Sequence, residues 1–319
     1  MRISKRTKNR VRRAYVDAVL RAREFAHSVR SGNPEPVEIV RLDSRVAYEA
    51  YLRGSEAERR KRTIDERATE RPDTSFDTPG FCYVCDRWTH FVSGWEFAHA
   101  SERSTSVNWR EHLRCRFCDL NNRTRASLHL LASTGTDSRS ARLYVTEQTT
   151  PLFARLQRRG AEVLGSEFLR DGTPRGGTNV RGLRNEDLTC LTFADGSFDA
   201  ILSFDVLEHV PDYSAAFREC ARVLTTGGVM LFSVPFAEHS DEHQIRARLR
   251  DDGSVEHLVP PEYHGDPMTE EGCLCFQYFG WDLLPELVDA GFSRATALAY
   301  YSRDYGYLGG VPLQFLAEK

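Results

Sequence analysis

Four cysteines stand as two C-x-x-C pairs, Cys82 and Cys85 in FCYVC and Cys115 and Cys118 in CRFC, with 29 residues between the pairs. Each pair sits on a tight knuckle. Together they can set four thiolates around one tetrahedral ion at about 2.3 Å per Zn–S bond. Four protein ligands leave no open position, so the expected ion is a structural Zn²⁺. The gap exceeds the usual ~15–20 residues, and a short hairpin would absorb the excess. The plainer reading is four buried, reduced thiols. His90, His99 and His112 are expected as surface or core residues beside the thiolates, not as ligands. A second cluster lies in DGSFDAILSFDVLEHVPDY, Asp195 to Tyr213. There an apolar run, Ala200-Ile201-Leu202, leads into Asp205 and then Glu208-His209. A buried strand aimed at two carboxylates and an imidazole delivers groups suited to proton transfer to its own end. The alternative is that Glu208 and His209 only cap and orient the following loop.

The elements that must position these groups change character along the chain. Residues 1–75 read as a basic helical arm. Its first 30 residues carry ten Lys/Arg against Asp17 and Glu24, with Val11, Tyr15, Ala18, Val19, Ala22 and Phe25 at helical spacing. That cationic face suits either phosphate contact or a solvated surface. A second helix is expected over 42–70, and ERPDTSFDTPG then reads as a linker. Residues 76–130 form the four-cysteine unit, with Trp88, Trp95, Trp109, Phe91 and Phe97 as its expected core and NNRTRASLHLL (121–131) as a helix leaving it.

From 131 to 319 strands and helices alternate. Strands are expected at 141–148, 161–169, 198–206, 229–236, 295–302 and 313–318, and helices at 150–160, 213–224 and 281–292. Such alternation predicts an α/β, doubly wound, mostly parallel sheet. Ligands of such sheets bind outside the carboxyl ends of the strands. Residues 237–280 form a long insertion before the last helix, in which RLRDDGSVEHL reads as a hairpin turning at Asp-Gly. A long insertion over the strand ends is suited to serve as a substrate lid. Cys190 and Cys220 are expected in the core, and Cys273 and Cys275 as packing residues.

Composition sets the outer bounds. The 319 residues hold 43 Lys/Arg and 46 Asp/Glu, a net charge of −3, and 40% are hydrophobic. No global field draws such a chain to nucleic acid. No apolar run reaches the ~18 residues of a membrane span, and the basic N-terminus lacks the apolar stretch of a signal peptide. With close-spaced cysteine pairs and no secretory signal, a cytoplasmic protein with metal-bound or reduced thiols is expected.

LTFADGSFDAILSFDVLEHVPDYSAAFRECARVLTTGGVMLFSVPF (191–236) resembles the class I S-adenosylmethionine-dependent methyltransferases of the type 11-like group. The shared features are the acidic turn Asp195–Asp199, the strand ending near Asp205, the LEHV step, and the helix running into TTGG and the next strand. The resemblance implies a Rossmann-like sheet of seven strands, the last antiparallel, following a small N-terminal zinc-binding unit and helical arm. It implies S-adenosyl-L-methionine as cofactor, with Glu167 on the ribose hydroxyls, Asp187 and Leu188 on the adenine, and Asp205 lining the cofactor beside its methyl group. The turn after the first strand departs from the family pattern. LYVTEQTTPL has no glycine, and Thr146, Glu147, Gln148 and Thr149 occupy it. Glu147 and Gln148 are then the expected cofactor contacts there, Glu147 toward the methionine ammonium. The reaction implied is in-line displacement at the sulfonium methyl, with His209, His239, His243 and His264 as candidate bases. Asp205, His209, Tyr263 and His264 form the expected catalytic set, Tyr263 and His264 facing the substrate. A small-molecule or carbohydrate-like acceptor is expected. The alternatives are a ribosomal RNA or other nucleic-acid substrate, which the basic arm favours, and an inactive zinc-containing interaction protein.

Overall fold

Continuous apolar runs in the central strands predict a sheet buried on both faces, and a computed structural model of the chain has that architecture. It describes residues 32–100, 105–136, 139–158, 160, 162–266, 268 and 271–319. The basic helix expected within 1–30 lies outside the described residues. The elements that build the molecule begin with β1 (Glu38–Leu42), α1 (Arg45–Gly54) and α2 (Glu56–Thr69). The cysteine-bearing unit follows with β2 (Ser75–Cys82), β3 (Arg87–Gly94), β4 (Arg114–Cys115) and α3 (Asn122–Ser133). Then come β5 (Arg142–Val145), α4 (Pro151–Arg158), β6 (Glu162–Gly165), β7 (Phe198–Phe204), α5 (Tyr213–Val223) and β8 (Leu224–Ser233). The chain closes with α6 (Leu283–Asp289), β9 (Arg294–Tyr301) and β10 (Leu313–Glu318).

The main sheet has seven strands in the order β1-β9-β10-β8-β7-β5-β6. β6, β5, β7 and β8 run parallel, and β10 is antiparallel to both β8 and β9. The expected count of seven is met in an unexpected way. Residues 38–42, assigned from the sequence to the helical arm, are a strand, and β1 pairs antiparallel with β9 as the sheet's edge. At the opposite edge, beyond β6, the segment 166–197 contributes a single parallel bridge, Glu167 to Asn185. The helix expected over 42–70 is two helices, broken at Ser55. Half of the expected linker is β2, whose Pro79 is tolerated because β2 is the edge of the three-stranded sheet β2-β3-β4. Gly227-Gly228 lie past the end of α5 as expected, but β8 begins before them, at Leu224, and its register with β7 shifts between Leu224 and Val229.

Alternation in the strands feeds two cores. Leu143, Val145, Ala200, Leu202 and Leu231 point to one face, where they meet Leu128 and Leu131 of α3 and Leu152 and Leu156 of α4. Tyr144, Ile201, Met230 and Phe232 point to the other, against Tyr48, Phe217 and Leu284. The cysteine-bearing unit shares the first core through Phe76, Phe91, Trp109 and Leu113. Phe91 and Trp109 are buried in that core as expected and the half-buried Trp95 packs against it, whereas Trp88 is half-buried outside it and Phe97 is exposed. Cys220 is buried as expected, whereas Cys190 is exposed.

One buried cation joins the unit to the sheet. Arg125 of α3 is fully buried, with its guanidinium 3.7 Å from the centroid of Phe91. It donates to the carbonyls of Tyr305 (2.6 Å), Leu113 (3.2 Å) and Gly306 (3.3 Å). Removing it strands buried acceptors, each worth about 1–3 kcal/mol, and a desolvated cation–π contact of about 2 kcal/mol. Arg125→Ala is therefore expected to lower stability by about 3 kcal/mol or more in chemical denaturation. A loss below about 1 kcal/mol, the usual range of surface changes, would refute this role.

Candidate active site and metal-ligand clusters

The two C-x-x-C knuckles converge. Cys82 ends β2, and Tyr83–Cys85 form a 3₁₀ turn closed by Asp86 in the left-handed region, φ 51°. Cys115 ends β4, its Sγ accepts from the Phe117 amide at 3.4 Å, and Asp119 closes that turn at φ 62°. Asp tolerates this conformation better than most residues. The four Sγ atoms lie within 4.8 Å of one another, with Cys82–Cys118 at 3.7 Å and Cys85–Cys115 at 3.9 Å. A tetrahedron of 2.3 Å Zn–S bonds has edges of about 3.8 Å, so the thiols already stand at the spacing one zinc ion requires. No histidine belongs to the group. The long gap carries β3 and a short hairpin, His99–Ala100 with Thr105–Ser106.

At the carboxyl end of the main sheet, the turn after β5 is held from two sides. Glu167 Oε1 accepts from the Gln148 amide (2.7 Å), the Thr149 amide (2.9 Å) and Thr149 Oγ1 (2.9 Å). Gln148 spans to the next loop, donating to Gly182 O (3.0 Å) and accepting from the Arg184 amide (2.9 Å). Thr146 donates to Ser203 at 3.0 Å. The glycine that permits close approach sits on the neighbouring strand: a Cβ on Gly165 would come within 2.6 Å of the Phe153 ring and 3.0 Å of Glu147 O. Burial pushes the Glu147 carboxyl up to about 7, with Arg123 and Thr150 pulling the other way. Asp187 Oδ1 accepts from the Thr189 amide and hydroxyl, and Leu188 is packed into the second core.

Asp205 follows β7 directly with φ 55°, a left-handed conformation that Asp tolerates better than most residues. Arg110 Nη2 donates to both of its oxygens (2.7 and 2.9 Å), Arg123 Nη1 pairs at 3.0 Å and Ser233 Oγ donates at 2.8 Å. Burial alone would raise its carboxyl. Arg123 and Arg110 outweigh burial and hold it well below the usual carboxylate range. Asp205 is thus a fixed anion, unsuited to taking a proton. Both arginines come from the cysteine-bearing unit and its exit helix, so that unit reaches into the ends of β7 and β8. The sequence reading missed Arg110 and Arg123, because nothing in their local spacing marks two cations separated from Asp205 by about a hundred residues of chain.

Beyond Asp205 a 3₁₀ turn, Leu207–His209, carries Glu208 inward. Its side chain is fully buried, and neither oxygen receives a well-directed hydrogen bond. His264 Nδ1 lies 3.3 Å away and His209 Nε2 3.7 Å. His264 comes from the 237–280 insertion, on a short strand, Tyr263–His264, paired with Cys273–Leu274. Contact with Glu208, and then Glu262, raises the His264 pKa above its ordinary value against burial. Neighbouring strand residues face opposite sides. His264 turns to Glu208, while Tyr263 is 56% exposed. The expected hairpin is present as Ala247–Leu249 with Val255–His257. His243 is held by Glu286 (3.0 Å) and the Gly280 amide (2.9 Å), and His239 is exposed. The structure therefore brings together Glu147, Gln148 and Glu167 in one group and Glu208, His209 and His264 in another. It does not join Tyr263 or His239 to either.

Among the described residues, no helix is long and apolar enough to cross a membrane. Residues 148–232 match the sequence model of a family described as "Methyltransferase domain". An arsenite methyltransferase of Aquipseudomonas alcaligenes is 41% identical over 61 residues, 19% of this chain and 18% of its own. A ubiquinone biosynthesis O-methyltransferase of Sinorhizobium medicae is 30% identical over 131 residues, 37% of this chain and 53% of its own. The chain thus spans about half or less of the length of these curated relatives. A solved S-adenosylmethionine dependent methyltransferase from Mesorhizobium loti superposes at 18% identity over 61% of this chain and 98% of that one, with a TM-score of 0.40.

Proposed function

Since this chain carries a class I methyltransferase domain, we propose that it transfers a methyl group from S-adenosylmethionine to a hydroxyl of a small molecule. The observation that carries this reading is the family match over 148–232, which runs from the turn after β5 to the end of β8. Those are the strand ends where sheets of this topology bind ligands. Similarity to an O-methyltransferase favours oxygen as the acceptor atom. A carbohydrate-like acceptor fits the same chemistry. A nucleic-acid acceptor would depend on the arm at 1–30.

In this reading Glu147 faces the methionine ammonium, Glu167 offers Oε2 to the ribose, and Asp187 and Leu188 flank the adenine. Asp205, with Arg110 and Arg123, forms the polar wall beside the methyl group. His209 and His264 stand nearest the insertion, on the side from which an acceptor would enter. The four cysteines hold one structural zinc ion that keeps Arg110 and Arg123 in place. Incubation with methyl-labelled S-adenosylmethionine and a panel of hydroxylated acceptors tests the proposal. Label transfer dependent on an acceptor supports it. Cofactor binding without transfer to any acceptor class would favour the interaction-protein alternative.

The Glu147 carboxyl supplies a pH signature. Its raised pKa of about 7 leaves it neutral at lower pH and ionised above. The attraction for an ammonium is therefore present above about 7 and lost as the pH falls through it. S-adenosylmethionine affinity is expected to rise by about an order of magnitude between pH 5.5 and 7, as the ionised fraction of a carboxyl with pKa about 7 grows from about 3% to about half. Glu147→Gln should flatten the dependence. An equal slope in the variant would place the ammonium elsewhere.

A further inference from the structure

We propose that Glu208, His209 and His264 form a second metal site, one that binds a divalent first-row cation with coordination positions left open. A carboxylate removed from water with no hydrogen-bond donor is costly, and buried charges are normally paired or bound to metal. Glu208 is fully buried, and neither oxygen receives a well-directed hydrogen bond. Two imidazole nitrogens, of His264 and His209, lie within 4 Å of its Oε1. One ligand atom from each of Glu208, His209 and His264 lies within 4.8 Å of the others. At metal–ligand bonds of about 2.0–2.2 Å, neighbouring donors stand about 3.0–3.5 Å apart. The Glu208–His264 contact is 3.3 Å and Glu208–His209 3.7 Å.

The far nitrogens of both rings are already oriented. His209 Nδ1 lies 2.8 Å from Leu274 O, and a carbonyl can only accept, so the proton sits on Nδ1 and the Nε2 lone pair faces Glu208. His264 Nε2 lies 3.2 Å from Glu262 Oε1, which likewise leaves Nδ1 facing Glu208. Glu262 is itself fixed by Tyr278 Oη, 2.6 Å from both of its oxygens, and by Arg246 at 3.0 Å. A histidine that gives its second N–H to a carbonyl or carboxylate is the usual outer shell of a metal ligand. Two imidazoles and one carboxylate suit Zn²⁺, Co²⁺, Fe²⁺ or Mn²⁺, and three protein ligands leave room for a substrate atom. The site is distinct from the four-cysteine cluster, which is closed.

Its place gives it a use. Glu208 and His209 follow Asp205 by three and four residues, and His264 belongs to the insertion. Resting on the methyl-transfer reading, an acceptor hydroxyl bound to the ion would lose its proton to water. Its oxygen would then form the new C–O bond as the S–CH₃ bond breaks, with the electron pair left on sulfur as neutral thioether. The insertion would thereby close over the acceptor and supply one of the ligands that hold it.

The test uses the full chain with its cysteine site loaded with zinc, titrated with Co²⁺ alone and read by visible absorption and by metal content after dialysis. The expected result is one additional equivalent with the weak bands of nitrogen and oxygen ligation. Glu208→Gln and His264→Ala should each lose this ion or bind it at least a hundredfold more weakly, and Glu262→Gln ten- to a hundredfold more weakly. His264→Ala changes a partly exposed side chain and carries the test if Glu208→Gln does not fold. No second equivalent, or one that both variants keep, would overturn the site and leave Glu208 paired with a protonated His264. Because metal content is read without substrate, failure of methyl transfer and failure of the metal site are separate results.

Discussion

Cys115→Ser is expected to abolish zinc retention and to destabilise the whole chain, not only its amino-terminal unit. Structural zinc sites contribute apparent free energies of about 10–16 kcal/mol, as large as the total stability of an ordinary domain, about 5–15 kcal/mol. Losing one of four thiolates opens the coordination sphere, so most of that contribution goes. The consequence spreads because the cysteine-bearing unit shares one continuous core with β5, β7 and β8. Arg110 and Arg123, which hold Asp205, also depend on its fold. Zinc content, thermal unfolding and Trp109 fluorescence measure this together. The wild type should hold one zinc at the cysteine cluster, and the variant should lose it along with a cooperative high-temperature transition. Cys190→Ser, at an exposed thiol, should change neither. A Cys115→Ser protein that melts like the wild type would show that the thiols are packing residues.

Glu167→Ala is expected to weaken S-adenosylmethionine binding by about ten- to a hundredfold, or about 1.4–2.8 kcal/mol. Two effects combine. The ribose loses a carboxylate acceptor, worth about 1.5–3 kcal/mol for a charge-assisted bond. The turn after β5 also loses the oxygen that collects the Gln148 and Thr149 donors. Glu167→Gln separates them. Its amide oxygen can still accept from the turn, so an affinity near wild type would assign Glu167 to the turn alone. A loss matching the alanine variant would assign it to the ribose. Calorimetry with S-adenosylhomocysteine gives the same comparison without turnover.

The parts of the molecule that were legible in the sequence are those where local chemistry repeats itself. Continuous apolar runs mark β7 and β8, and the C-x-x-C spacing marks both knuckles. The edges of the sheet were not legible. EIVRL (38–42) is short and its burial irregular, so nothing local separates it from the neighbouring helices, and only pairing with β9 makes it a strand. The segment 166–197 satisfies its backbone through turns and two isolated bridges, a pattern with no period to read.

In the site, chain neighbours were found and distant partners were not. Glu208-His209 stood out because they follow a strand. His264 was placed toward the substrate side on composition, but its partner Glu208 was not identified. Tyr263 was paired with His264 by adjacency, which in a strand sends the two to opposite sides. Asp205 was expected among the catalytic residues. Its two arginines, far off in sequence, decide that it stays an anion.

The strand ends of β5, β6 and β7 are expected to hold S-adenosylmethionine despite the glycine-free turn at Thr146–Thr149. Isothermal titration of zinc-loaded chain with S-adenosylmethionine and with S-adenosylhomocysteine tests this most directly. One site per chain is predicted for each, weakened in Glu167→Ala and tightening from pH 5.5 to 7. Absence of binding by both at millimolar concentration, a free energy of about −4 kcal/mol or weaker, would show that the turn closes the crevice and would contradict the methyltransferase reading.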